Sequence, residues 1–183
     1  GNQHHDARRL PSGNTLYIAW DPFDGATAKR VRGGLPGTEK EGVIYGDSIR
    51  EVTSDGKLVW EWGTREMEIE NYPICPLCPR AEFAHANTCS PLPNGDVLIS
   101  FRVLNLLIIV DKETRKIKWE RQDIAFGHQH DSHILDNGNI LVFCNGFHGR
   151  DVDMASSVRE FNPANCEVIW EFKAKPMTSF FSA

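Results

Sequence analysis

Short apolar runs alternate with polar, glycine-bearing turns along this chain, and they do so three times in one phase. Leu10-Pro11-Ser12-Gly13-Asn14-Thr15-Leu16, Leu92-Pro93-Asn94-Gly95-Asp96-Val97-Leu98 and Leu135-Asp136-Asn137-Gly138-Asn139-Ile140-Leu141 each give an apolar residue, a turn with glycine and the start of an apolar strand. Ser-Gly and Asn-Gly supply the positive φ that tight hairpins need. Strands are therefore predicted over Thr15–Trp20, Val97–Arg102 and Ile140–Cys144. A second pattern follows each of the first. An apolar strand ends near Val52, Val110 or Phe161, and a turn of Asp, Asn, Gly or Pro intervenes. A further strand then closes on Trp60-Glu61, Trp119-Glu120 or Trp170-Glu171.

Each unit thus holds four short strands. The first covers about 4–64, the second about 83–122 and the third about 126–173, with the start of a fourth at 174–183. Gly95 and Gly138 lie 43 residues apart, close to the ~40–45 residues of a four-stranded propeller blade. Gly13 and Gly95 lie 82 apart, and two insertions, 21–46 and 65–82, account for the excess. No segment of helical period competes. A β-sandwich also gives many short strands, but it does not repeat Trp-Glu at one strand position. The pattern predicts an all-β fold: a single domain, 1–183, forming a partial β-propeller of about three four-stranded blades. Trp60, Trp119 and Trp170 are read as blade packing, and so are Trp20 and Trp62. Lys29-Arg30-Val31-Arg32 falls in an insertion and is read as a solvated loop.

Composition narrows the function. The 183 residues are 40% hydrophobic, with five Trp and ten Phe, too much apolar surface for a disordered chain. The longest uninterrupted apolar runs, such as Leu106 to Val110, are far short of the ~20 residues of a membrane span. Acidic residues outnumber basic ones 25 to 20, and no basic block marks a nucleic-acid surface. Five cysteines do not make a fully paired framework. Cys75-Pro76-Leu77-Cys78, with Cys89 further on, leaves three readings open: a disulfide, a metal site or plain thiols. Cys144 is expected in the core and Cys166 on a turn. The chain opens inside a motif without a start methionine, so the native N-terminus is expected to be missing. A closed propeller needs at least ~4 blades. Three blades read as about half a ring, whose open edges would seek partners, a second copy included.

The candidate chemistry rests on histidine. Six of the seven, His4, His5, His85, His128, His130 and His133, lie just ahead of a repeat turn, and only His148 lies elsewhere. They fall on the first strand of each unit, the strand that lines the channel of a propeller, and Gln3, Asn87 and Asp131 accompany them. Polar, titratable groups gathered in a concave site are an active-site signature. Two chemistries fit. Imidazoles can hold zinc or copper. Alternatively one His attacks while the others and Arg102 clamp an anion. Arg102 has the fork geometry for sulfate or phosphate, which favours the second.

These residues together resemble the arylsulfotransferases (arylsulfate sulfotransferases), six-bladed β-propeller enzymes found mostly in bacteria. The resemblance is carried by His4-His5-Asp6 ahead of Leu10–Asn14, by His85-Ala86-Asn87 with Arg102 one strand later, and by Gln129-His130. It covers nearly all of the chain. It implies that His130 attacks the sulfur of an aryl sulfate, becomes transiently sulfated and passes the group to a phenol. His85, Asn87, Arg102 and one of His4 and His5 would hold the sulfuryl oxygens and protonate the leaving phenolate. His5 is preferred, because its spacing to Leu10 equals that of His130 to Leu135. His4, Asn87 and His128 are the expected substrate-binding residues. No cofactor, nucleotide sulfate donor or catalytic metal is implied. The expected partners are an aryl sulfate and a phenol, with no nucleic acid and no membrane. Family members are often exported, so a periplasmic location is expected. His128 and His133 match no family role and keep a metal reading open, with His130 ranked over His128 as nucleophile. The alternatives are a metal-dependent propeller lyase or hydrolase and a non-catalytic binding module, since fold alone does not decide function.

Overall fold

The three repeat turns close as their sequence dictates. Gly13, Gly95 and Gly138 sit at φ 85°, 92° and 83°. Their N–H groups donate to the carbonyls of Leu10, Leu92 and Leu135 at 3.0, 2.9 and 2.9 Å. The structure is a computed structural model that describes residues 2–146, 148, 155–175, 179–180 and 182. Much of the expected lead-in to a fourth unit therefore lies outside the described residues. Among those described, no helix is long and apolar enough to cross a membrane.

The chain divides into two compact units, Gly1–Cys89 and Ser90–Ala183. The first holds β1 (Gln3–Arg9), β2 (Thr15–Pro22), α1 (Gly25–Arg30), β3 (Gly33–Leu35), β4 (Tyr45–Val52), β5 (Leu58–Gly63) and β6 (Ile74–Pro79). β7 (Ala86–Pro91) carries the chain from the first unit into the second. The second unit continues with β8 (Val97–Phe101), β9 (Leu106–Val110), β10 (Ile117–Gln122), β11 (His130–Ile134), β12 (Ile140–Cys144), β13 (Ser157–Phe161) and β14 (Val168–Lys173). Three four-stranded sheets result, β1-β2-β4-β5, β10-β9-β8-β7 and β11-β12-β13-β14. Within them β1–β2, β2–β4, β4–β5, β8–β9, β9–β10, β11–β12, β12–β13 and β13–β14 pair antiparallel. The fold is all-β, with propeller-type blades.

The insertions carry structure of their own. β3 from the first pairs in parallel with β6 from the second. Gly33 permits this approach: it sits at φ 75°, and a Cβ there would come within 2.3 Å of the Ile74 carbonyl oxygen. Arg30, expected in a solvated loop, grips Glu70 with two bonds of 2.6 and 2.8 Å. That grip pulls the Glu70 carboxyl down to about 2. Arg80 pairs with Glu39 at 2.7 Å. The Cys75–Cys78 motif lies on β6, with Cys78 buried, and all five cysteines are unbridged.

In the second unit a core forms between two blades. Leu98, Leu107 and Ile109 meet Phe126, Ile140, Val142, Cys144 and Phe161. Trp119 packs against it, stacked on Phe161 at 6.3 Å, with its indole N–H donating to the Pro163 carbonyl at 2.8 Å. Its repeat counterpart Trp170 departs from the packing expected of it. It is 49% exposed and stacks on Phe172. Trp62 packs as expected and is fully buried.

Buried Asp96 holds the hairpin turn of the second blade. It accepts from Asn94, from the Lys112 N–H and from the Lys118 ammonium. Burial works against its charge, but Lys118, the Lys112 N–H and Asn94 outweigh it and hold its carboxyl below the usual range. A carboxyl depressed on folding contributes stability above its unfolded pKa and loses it as pH falls toward the folded one. Asp96→Asn is expected to lower the melting temperature at neutral pH, with the gap to wild type narrowing below about pH 4. Thermal unfolding followed by circular dichroism checks this, and a gap that does not change with pH would refute it.

Candidate active site

In the first unit the histidines sit on an irregular first strand. His4 pairs with Ile18 and Ala7 with Tyr17, so His5 and Asp6 form a bulge between neighbouring partners. Bulges re-aim side chains. His5 has φ 55°, and His85, just ahead of β7, has φ 57°. Left-handed backbone at a side-chain-bearing residue costs roughly 1–3 kcal/mol and persists where the surroundings demand it. Here both residues bring their rings into contact with a neighbouring imidazole. His4 Nδ1 meets His5 Nδ1 at 2.7 Å, and His5 Nε2 meets His85 Nε2 at 3.2 Å.

Carboxylates close both ends of this chain. His85 Nδ1 lies 2.6 Å from Glu82 Oε2, and His4 Nε2 lies 3.2 Å from Asp47 Oδ1. Burial raises the Glu82 carboxyl, but His85, then the Trp20 indole N–H and the His4 charge, bring it below its ordinary value. Asp47 is only 2% exposed, and among the described residues neither carboxylate oxygen accepts a hydrogen bond. Trp20, read as packing from the sequence, belongs to this group. Its ring stacks on His4 at 4.5 Å, and its N–H donates to Glu82 at 3.3 Å. Asp6 has a structural task, accepting the Cys89 N–H at 3.0 Å and the Arg8 guanidinium at 3.0 Å. Asn87 is buried on β7. A cleft of about 400 Å³ opens beside His4, His5 and Tyr17.

The arrangement also tests the metal reading of this cluster. A metal needs one nitrogen from each ring aimed at a common point. His5 instead directs one nitrogen at His4 and the other at His85. The three rings form a line of hydrogen bonds.

In the second unit His130 heads β11, paired with Phe143, and His133 follows in the ladder, paired with Leu141. Between them Asp131 takes φ 46°. Ile18 and Phe143 are each the fourth residue of their blade's second strand. His4 therefore holds the ladder position of His130, and His5 that of Asp131. The spacing that equates His5 with His130 is off by one, because the bulge of the first blade contains an extra residue.

Asn145 sets the state of the His130 ring. Its Oδ1 lies 2.8 Å from His130 Nδ1, while its Nδ2 donates to the Ser182 carbonyl at 3.3 Å. That second bond assigns the amide orientation. An amide oxygen only accepts, so Nδ1 carries a proton, and in the neutral ring Nε2 then carries the electron pair. Gln129 is buried and anchors the strand, donating to Ser100 Oγ and to the Phe101 and Leu106 carbonyls, each at 3.1 Å. His128 is buried, its N–H held by Asn105 at 2.7 Å and its ring edge-on to His148 at 4.8 Å. Burial, then the Arg102 charge, lowers the His148 pKa. Arg102 is half-buried, and among the described residues no hydrogen bond or ion pair engages its guanidinium.

Asn145 was missed from the sequence, although a signal was present. Trp20, Arg102 and Asn145 each stand seven residues after a turn glycine. At that place the second strand approaches a histidine: Trp20 stacks on His4, Asn145 binds His130, and Arg102 acts on His148.

Four-stranded, propeller-type blades with histidines on or beside their first strands define the class of protein. The sequence model described as Arylsulfotransferase (ASST) matches residues 78–179, more than half of the chain, and the chain belongs to the arylsulfotransferase family. No curated protein matches it. Among solved structures it is similar to a protein of unknown function from Bacteroides caccae. The identity is 15% and the TM-score 0.52, with 93% of this chain and 46% of that chain covered. Another is the β-propeller domain of the Trilobed protease from Pyrococcus furiosus, which has an open velcro topology. There the identity is 13% and the TM-score 0.46, with 93% and 43% covered. The chain spans less than half the length of either. At these identities the likeness to the Bacteroides protein is one of fold.

Proposed function

We propose that this chain moves a sulfuryl group from an aryl sulfate to a phenol through a sulfated histidine, His130. The observation that carries this reading is the 2.8 Å contact of His130 Nδ1 with Asn145 Oδ1. It selects the tautomer whose Nε2 can attack sulfur. It also places an acceptor at Nδ1–H, where positive charge develops once Nε2 is sulfated. Arg102 suits the sulfuryl oxygens, because a guanidinium forks onto two oxygens of one tetrahedral group. Family membership supports a sulfotransferase. The histidine intermediate, the aryl donor and the phenol acceptor are our reading.

The chemistry balances without an outside nucleotide donor. His130 Nε2 forms a bond to sulfur as the S–O bond to the phenol breaks, and the phenolate takes a proton. In the second half the acceptor phenol loses its proton and its oxygen displaces Nε2. The test is incubation with 4-nitrophenyl sulfate, with and without a phenol acceptor, before and after chelation. Phenol-stimulated release of nitrophenol that survives chelation is expected. Release that chelation abolishes would turn the reading toward the metal-dependent hydrolase.

A further inference from the structure

The cysteine pair of the second insertion has an arrangement for which sulfuryl transfer has no use. In a regular strand Cys75 and Cys78 would point to opposite faces, with their Cα atoms roughly 10 Å apart. Their sulfurs instead lie within 4.8 Å of each other. The register of the ladder gives the reason. Gly33 pairs with Ile74 and Leu35 with Pro79, so β6 advances from residue 74 to 79 while β3 advances only from 33 to 35. The surplus residues leave the ladder as a knuckle. Its tip, Pro76 and Leu77, is exposed, with Leu77 at 60%, while Cys78 is buried and Cys75 half-buried.

Both ends of the knuckle are fixed without help from the sulfurs. At its start the Ile74 N–H donates to the Arg32 carbonyl at 2.9 Å. At its end the Arg80 N–H donates to Thr38 Oγ1 at 2.8 Å. The Arg80 guanidinium reaches Glu39 at 2.7 Å, the Val31 carbonyl at 3.2 Å and the Gly33 carbonyl. β3 packs close against it: at Gly34, with φ 71°, a Cβ would come within 2.6 Å of Arg80 Cγ and 3.3 Å of the Cys78 carbonyl oxygen. The backbone therefore gathers the two thiols before any ligand arrives. A preorganised thiol pair is half of a tetrahedral zinc site.

We propose that Cys75 and Cys78 bind a zinc ion through both sulfurs, as a structural site that fixes the knuckle. Soft thiolate ligands favour zinc over calcium or magnesium. The other two positions of the tetrahedron are left to ligands from outside β6. Half-buried Cys75 gives the ion a way in. Each thiol passes its proton to solvent as its sulfur binds, so zinc is held less tightly as pH falls. The site does not rest on the proposed function, and no step of sulfuryl transfer is routed through the ion. Each reading can fail alone: metal binding and thiol labelling test the site, and turnover tests the transfer.

Zinc titration of the reduced full chain tests the site. Loss of even an outer partner of a metal ligand costs about 10–100-fold in affinity, so Cys75→Ser should weaken zinc binding by at least about 10²-fold. Equal affinity in wild type and variant would overturn the proposal. Zinc should raise the melting temperature of wild type and leave that of Cys75→Ser unmoved. Cobalt in place of zinc should give the intense visible bands of a four-coordinate ion with thiolate charge transfer, and the pale spectrum of an octahedral ion would overturn the site. Thiol labelling followed by mass spectrometry decides the matter even if the variant does not fold. In reduced, metal-free wild type a maleimide should modify Cys75 and the exposed Cys166. Zinc should protect Cys75 and leave Cys166 reactive. Labelling of Cys75 that zinc does not change, or a Cys75–Cys78 disulfide that zinc does not prevent, would overturn the proposal.

Discussion

His130→Ala should reduce sulfuryl transfer by at least ~10³-fold, because it removes the atom that bonds to sulfur. The measurement is turnover of an aryl sulfate with a phenol acceptor, alongside the intact mass of the enzyme quenched during turnover. Wild type should gain one sulfuryl group and His130→Ala none. Unchanged turnover would exclude His130 as nucleophile. Asn145 gives a sharper version of the same test. Asn145→Ala removes the acceptor at His130 Nδ1 and lets the ring populate the other tautomer, with its proton on the attacking nitrogen. The expected effect is a fall in kcat of about 10²-fold with little change in KM. Asn145→Asp still accepts at Nδ1 and should recover most of the rate. If both variants lose activity equally, the contact serves only to hold Asn145 in the fold, where its amide also ties Ser182.

The repeat was legible because its parts are local. A turn glycine, the apolar pair around it and a Trp-Glu dipeptide sit within reach of one another in sequence. The strand predicted over Ile140–Cys144 is the one observed, and that predicted from Thr15 to Trp20 is extended by two residues. What was not legible depends on contacts between distant segments. The two insertions read only as interruptions of the repeat, since neither shows that β3 and β6 will pair across some forty residues. Asp47 and Glu82 carry no motif and join the site only because β4 and the segment after β6 return to the first strand. The choice between His4 and His5 rested on counting, and counting cannot see how many residues a bulge absorbs. Trp20 and Asn145 were available in principle, as the counterparts of Arg102. Three different residue types at one repeat position do not look like a repeat until each is seen beside a histidine.

Phe161→Ala should cost about 3–5 kcal/mol, the range for truncating a buried phenylalanine. Phe161 is fully buried, lies against Phe126 and Trp119, and has the Arg121 guanidinium over its ring at 4.6 Å. The cavity would open between two blades, so the melting temperature should drop by roughly 10 °C. A matched pair of tryptophans shows how far this stability depends on one blade covering the next. Trp119→Ala loses a stacked ring and a 2.8 Å hydrogen bond to Pro163, and should cost about 2–3 kcal/mol. Trp170→Ala changes the same residue at the same place in the repeat. Its ring is half in solvent, and its loss should cost under about 1 kcal/mol. The comparison is read from urea unfolding of both variants at low protein concentration. Unequal costs follow from a covered blade and an uncovered one. Equal costs, growing with protein concentration for Trp170→Ala, would mean that a second copy of the chain covers the third blade as the third blade covers the second.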